Sequence, residues 1–234
     1  LDKKEFVIMR TCHGFGDWGI LSAMPRLLKQ KYPDCKVYVP SKNLLHNLFW
    51  QFEKNKSVWN DTFRIVNHIF DNNPYIDGFK DSIDGEIFHD HYRVYDNNNI
   101  DVPLVEQMLK FWQFEEEEYT DSQPEMYWSD EEKELGDSIM NETNKIKDVL
   151  LNNELPYFYW THKPLEDTPF DFINNVLDVR IMNFRIQMYI RCRAKLNVGN
   201  QSGTMQLATR YSDVYDVHRQ SQLAHNFVKG EIVL

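Results

Sequence analysis

Apolar and polar positions alternate with two different periods over the first forty residues. Phe6-Val7-Ile8-Met9 is a short, uncharged, apolar run, as expected of a strand buried on both faces. Gly14, Gly16 and Gly19 follow and predict a tight turn with close backbone approach. From Ile20 the spacing becomes helical. Ile20, Leu21, Met24, Leu27 and Leu28 share one stripe, and Arg26, Lys29 and Lys31 lie on the other side. Tyr32-Pro33-Asp34 stops that helix, and Val37-Tyr38-Val39 begins a second strand. Residues 6–40 therefore predict a βαβ unit. Its turn lies at the carboxyl end of the first strand, where open α/β sheets place ligands.

The remaining pattern is coarser. Arg64–Phe70 reads as a strand or a short helix, followed by a turn at Asn73-Pro74. Val102–Phe114 predicts an amphipathic helix with Val105, Met108, Leu109 and Trp112 inward. Glu115–Glu118 is an acidic run of the kind found at a solvated helix end or loop. Ser129-Asp130-Glu131-Glu132 has the Ser-x-x-Glu spacing of a capping box and opens a helix through Ile139. Tyr157-Phe158-Tyr159-Trp160 is an apolar strand. A polar stretch between Asn141 and Asn153 is the expected domain boundary, giving domains 1–145 and 146–234.

Composition narrows the classes. The 234 residues can bury one large core or two small ones. A net charge of −10 argues against a protein that coats nucleic acid, because phosphate binding needs a basic footprint. Cys12, Cys35 and Cys192 are too few for a disulfide framework and suit a reducing, cytoplasmic setting. No window approaches the ~20 apolar residues of a membrane span. No basic amphipathic helix argues for a firm membrane anchor either. His89-x-His91 with Asp90 is half a metal site at most and reads better as an ordinary loop.

Two chemical readings fit the first turn. Gly14-Phe15-Gly16-Asp17-Trp18-Gly19 matches G-x-G-x-x-G, a dinucleotide fingerprint. The acid that should follow the second strand is missing. Pro40-Ser41-Lys42 stands there instead and can suit a 2′-phosphate, which keeps an NADP-binding oxidoreductase as an alternative.

The second reading is a resemblance. Arg10-x-x-x-Gly14-x-Gly16-Asp17, an apolar helix with Pro25, then Leu28-Lys29 and Tyr32-Pro33, resembles the start of glycosyltransferase family nine, the ADP-heptose:lipopolysaccharide heptosyltransferase group. Asn73-Pro74-Tyr75-Ile76-Asp77 resembles a phrase that family carries between two strands of its first domain. Pro124–Trp128 resembles the strand closing that domain. Ala194–Ala208, with Asn200-Gln201-Ser202-Gly203 before a helix, resembles the family's donor turn. A proline past the first helical turn costs about 3 kcal/mol, so Pro25 marks either a positional requirement or a tolerated kink.

The resemblance implies an α/β fold of two Rossmann-like domains (GT-B type) facing a central cleft, with the second domain abridged. It implies a metal-independent, inverting glycosyltransferase acting on a glycan or glycolipid acceptor, with a nucleotide-diphosphate sugar as donor substrate and no cofactor. Asp17 would be the catalytic base. Arg10, Gly14, Gly16 and Trp18 would line the acceptor side, and a salt bridge at the strand end is an equal reading for Arg10. Lys163, Asn200, Gln201, Ser202, Gly203, Thr204 and Gln206 would hold the donor, because a Ser-Gly turn at a helix start presents free N–H groups to an anion. Gln201 and Gln206 replace an acid and a histidine of the family pattern. That departure leaves open a degenerate, non-catalytic sugar or nucleotide binder. The implied location is the cytoplasm or the cytoplasmic face of a membrane, with peripheral contact and no integral membrane segment.

Overall fold

The structure is a computed structural model. It describes residues 4–10, 14–49, 58–83, 86–90, 104–111, 114–115, 121–149, 157–159, 176–178, 182–199, 203–216 and 230–231. The protein is a mixed α/β chain whose strand pairings are all parallel among the described residues. It divides into two compact units, one of Leu1–Tyr127 with Ala194–Leu234, the other Trp128–Arg193.

In the first unit, β1 (Glu5–Arg10), β2 (Lys36–Pro40), β3 (Gly78–Lys80) and β4 (Glu86–Asp90) form a sheet in the order β3-β2-β1-β4. That order is compatible with a Rossmann-like half-sheet, which grows outward from its first strand. Phe6, Val7 and Ile8 are fully buried, as the uninterrupted apolar run requires. β4 carries His89, which the sequence had suggested for a loop; no group of three metal-ligating side chains occurs among the described residues.

The first crossover is helical from an earlier point than the periodicity suggests. α1 (Phe15–Gly19) begins straight after Gly14, a 3₁₀ turn spans Ile20–Ala23, and α2 (Met24–Lys31) completes it. Gly16 and Gly19 are thus inside a helix, not in a turn. Pro25 occupies the first turn of α2, where a missing N–H breaks no helical bond, so the interior penalty does not apply. Trp18, Leu21, Met24, Leu27 and Leu28 are buried to the last few square ångströms; each contributes roughly 1.5–3 kcal/mol. Arg26, expected on the polar side, is buried too. Its Nε donates to Glu125 Oε2 at 2.8 Å, so the charge is paired.

α3 (Lys42–Phe49) and α4 (Val58–Phe70) follow; the Arg64–Phe70 stretch is helical. The Asn73–Asp77 phrase lies between β2 and β3 in the chain and joins α4 to β3. Its role here is a clip. Tyr75 N–H donates to Asn73 Oδ1, Asp77 N–H donates to the Val37 carbonyl, and Asp77 Oδ2 accepts from Val37 N–H and Lys29 while Oδ1 accepts from Lys36. Burial would raise the Asp77 carboxyl, but these hydrogen bonds outweigh it and hold it down to about 2.

α5 (Leu104–Phe111) buries Leu109. The segment 121–129, expected to contain a strand, has no regular structure because its bonding groups are spent on side chains. Glu125 N–H donates to Ser22 Oγ, and Met126 bonds Tyr211 Oη. Farther on, β7 (Leu196–Gly199), β8 (Asp213–Asp216) and β9 (Gly230–Glu231) form a parallel sheet, with α8 (Gly203–Ala208) between β7 and β8.

In the second unit, α6 (Asp130–Val149) runs through most of the stretch expected as a boundary. It opens on the predicted capping box: Ser129 N–H donates to Glu132 Oε2 at 2.8 Å, and Glu132 N–H donates to Ser129 Oγ at 3.2 Å. α7 (Phe184–Arg193) packs on it, with Ile186 and Ile190 against Ile139 and Met140. A Cβ on Gly136 would overlap the Tyr189 ring, which sets how closely the two helices approach. β5 (Tyr157–Tyr159) and β6 (Val176–Asp178) pair in parallel.

Candidate functional site

β1 ends in Arg10, which is 4% exposed. Its Nη2 donates to Asp17 Oδ1 at 3.0 Å, seven residues on. Asp17 is the third residue of α1 and reaches back to accept the Gly14 N–H on Oδ2 at 3.2 Å. An acid at that position complements both the orphan amide and the positive end of the helix. The strand's last residue and the helix's first turn are thereby fixed to one carboxylate. The salt-bridge reading of Arg10 is the one realised. Asp17 keeps 36% of its side chain exposed, and each of its oxygens retains an accepting lone pair beyond these two bonds. Gly14 itself is extended, at φ −78° and ψ 147°. A Cβ there would lie 2.5 Å from Asp17 Oδ2, so only glycine lets the carboxylate close over the turn.

The other glycines serve a different purpose. Neither Gly16 nor Gly19 has positive φ; among the described residues only Gly78 does so for glycine. They clear a path for α8. A Cβ on Gly203 would overlap the Gly16 nitrogen and Cα and come within 2.8 Å of the Phe15 carbonyl carbon. A Cβ on Gly16 would stand 3.1 Å from Gly203 Cα, and one on Gly19 3.3 Å from Leu207 Cγ. Gly16 and Gly19 lie three apart on α1, Gly203 and Leu207 four apart on α8, so each pair shares a helix face. The glycine pattern that suggests a phosphate-binding turn is here a helix–helix seat.

Gln206 lies in the same seat. It is 8% exposed, and a Cβ on Gly16 would be 3.4 Å from its amide oxygen. That oxygen has no hydrogen-bond partner in the structure described. Gly203 and Thr204 are half-buried. Trp18, expected to line the cleft, is fully buried in the core instead. Asn200, Gln201, Ser202 and Lys163 lie outside the described residues, as do Cys12 and His91. The residues expected on the two sides of a cleft, Gly16 and Gly203, are thus in backbone contact within one compact unit.

Ser41, the candidate partner for a 2′-phosphate, is already committed. Its hydroxyl donates to Asp81 Oδ1 at 2.5 Å and accepts from Leu44 N–H at 3.1 Å, capping α3. An acidic neighbour is unfavourable for a phosphate.

Sequence reasoning missed the residues that hold α8 in place. Arg210 and Tyr211 follow it directly, and both reach the 121–127 segment. Nothing in the linear pattern signals this, since the partners are some eighty-five residues apart.

No family model, curated protein or solved structure matches the chain.

Proposed function

We propose that the chain is a glycosyltransferase of the two-domain GT-B type, moving a sugar, heptose-like by the resemblance, from a nucleotide diphosphate to a hydroxyl acceptor. It would act in the cytoplasm or at the cytoplasmic face of a membrane. The reading is supported chiefly by one observation: the helix that presents Asp17 lies in backbone contact with the helix that opens at Gly203. Group transfer needs its reacting atoms within about 3–3.5 Å of one another, so a base and a donor seat have to be neighbours.

In that reaction Asp17 takes the proton of the acceptor hydroxyl. The freed oxygen attacks the anomeric carbon from the face opposite the diphosphate, which leaves with the bonding electron pair. Arg10 holds the carboxylate on Oδ1, keeping one orientation of the base. The diphosphate would sit at the Asn200–Gln206 turn, with amide hydrogens at the helix start facing its charge.

A second reading, a non-catalytic sugar or nucleotide binder, is favoured by Gln206, which brings neither charge nor a titratable proton to the seat.

A thermal-shift and calorimetric screen of ADP-, GDP-, UDP- and dTDP-sugars, followed by assay of nucleoside diphosphate release, separates the two. The transferase should bind one donor class and turn it over. Asp17→Asn should keep binding while losing turnover by about 10²–10⁴-fold, the usual range for a general base. Binding without turnover in the unaltered chain leaves only the binder. No stabilisation by any donor removes both.

A further inference from the structure

The contact between α1 and α8 is held from outside itself. Arg210 and Tyr211 grip the 121–127 segment. Tyr211 Oη accepts from Met126 N–H and donates to the Met126 carbonyl, both at 2.9 Å, as a strand neighbour would. Arg210 Nη2 pairs with Asp121 Oδ2 at 2.7 Å, and its Nη1 lies 3.5 Å from both the Gln123 carbonyl and Glu125 Oε2. The gripped segment is itself fastened to α2 and to the 3₁₀ turn that follow the glycine-bearing α1. Arg26 donates to Glu125 Oε2 and to the Asp121 carbonyl, and Glu125 N–H donates to Ser22 Oγ at 2.8 Å. Ser22 in turn donates to the Gly19 carbonyl at 2.6 Å.

The link from α8 to its clasp is short and bonded. Thr209 N–H donates to the Gln206 carbonyl, and Tyr211 and Ser212 N–H both donate to the Ala208 carbonyl. A displacement at Tyr211 is therefore carried to Gln206 and Gly203. In the seat, fully buried Leu207 packs against Gly19, so the clasp adds to that contact and does not replace it. Gly16 and Gly203 meet without side chains, and the buried Gln206 oxygen lacks a hydrogen-bond partner among the described residues, which costs roughly 1–3 kcal/mol.

We infer that Arg210 and Tyr211 form a clasp, with 121–127 as its keeper, that positions the α8 turn against the Gly16–Gly19 face of α1. Tyr211 and Arg210 are then positioning residues. They touch no reacting group, but they set the spacing of the two turns. The clasp holds for the transferase, for the binder, or for neither.

Hydrogen exchange read by mass spectrometry tests it on the full chain. Tyr211→Phe removes both bonds to Met126 and keeps the ring. Exchange should rise about five-fold in 203–216 and, equally, in 15–24, while β1 and β2 keep their protection. Arg210→Gln should move the same two segments by less. Faster exchange confined to 121–127 and 209–213 would reduce Tyr211 to a local brace and overturn the inference. So would no change, or a uniform change that follows the urea midpoint. A nucleotide screen that finds no ligand would bear on the transferase reading and leave these outcomes as they stand.

Discussion

The two glycine-led helices meet backbone to backbone, yet they are built differently. α1 opens with an ion pair: buried Arg10 and the Gly14 amide both donate to the Asp17 carboxylate. α8 has no charged side chain in its first turn, and the oxygen of its buried Gln206 has no hydrogen-bond partner among the described residues. The first turn is tied to the sheet by the Arg10–Asp17 pair at the end of β1. The second depends on what it rests against and on the residues that follow it. A glycine at a helix start is therefore no guide to its purpose. Gly14 admits a carboxylate, whereas Gly203 admits another backbone.

Placing a methyl group on each side of the contact breaks the symmetry most. Gly203→Ala drives a Cβ into the Gly16 backbone, which cannot give way as a side-chain tip would. It should cost about 3 kcal/mol in urea unfolding, the upper range for overpacking.

A smaller effect is expected at the start of β2, where the Asp77 clip can be compared with the Arg10–Asp17 pair. Asp77 is held down to about 2, below the ~3.9 of an unfolded Asp, so it favours the folded state above pH ~4 and loses that contribution as the pH falls toward 2. Asp77→Asn should remove about 1 kcal/mol at neutral pH, discounted for the exposure of Lys36, and flatten the acid limb of a stability–pH curve. An unchanged acid limb would mean that the clip does not contribute.

The smallest effect should come from Gly19→Ala. Its Cβ would stand 3.3 Å from Leu207 Cγ, the end of a side chain that can shift, and alanine regains up to about 1 kcal/mol of helix propensity. The two terms nearly cancel, so the melting temperature should move by no more than a degree or two. A loss as large as that of Gly203→Ala would show that α1 tolerates no adjustment anywhere along the seat.

Local signals were legible where chemistry and periodicity agreed. The run at Phe6–Met9, the Tyr32–Pro33 stop and the Ser129 capping box each depend on neighbours within a few residues, and each is present. The glycines misled because G-x-G-x-x-G is degenerate. The same spacing that frees a turn also smooths a helix face, and only the partner, far along the chain, distinguishes them. Arg26 was assigned to the polar face because its acceptor, Glu125, is ninety-nine residues away. The strand expected at 124–128 failed for a related reason: Glu125 and Met126 N–H groups are taken by Ser22 and Tyr211, which no local pattern reveals.

The Gly16–Gly203 contact also constrains the order in which the molecule can assemble. β1, α1 and β2 are close in sequence and can condense as soon as they are made, at the small loop-closure cost of short segments. The groove on α1 cannot be filled until α8 exists, most of the chain later. On a ribosome, the N-terminal strands would thus fold with a bare glycine face that waits until α8 has been made.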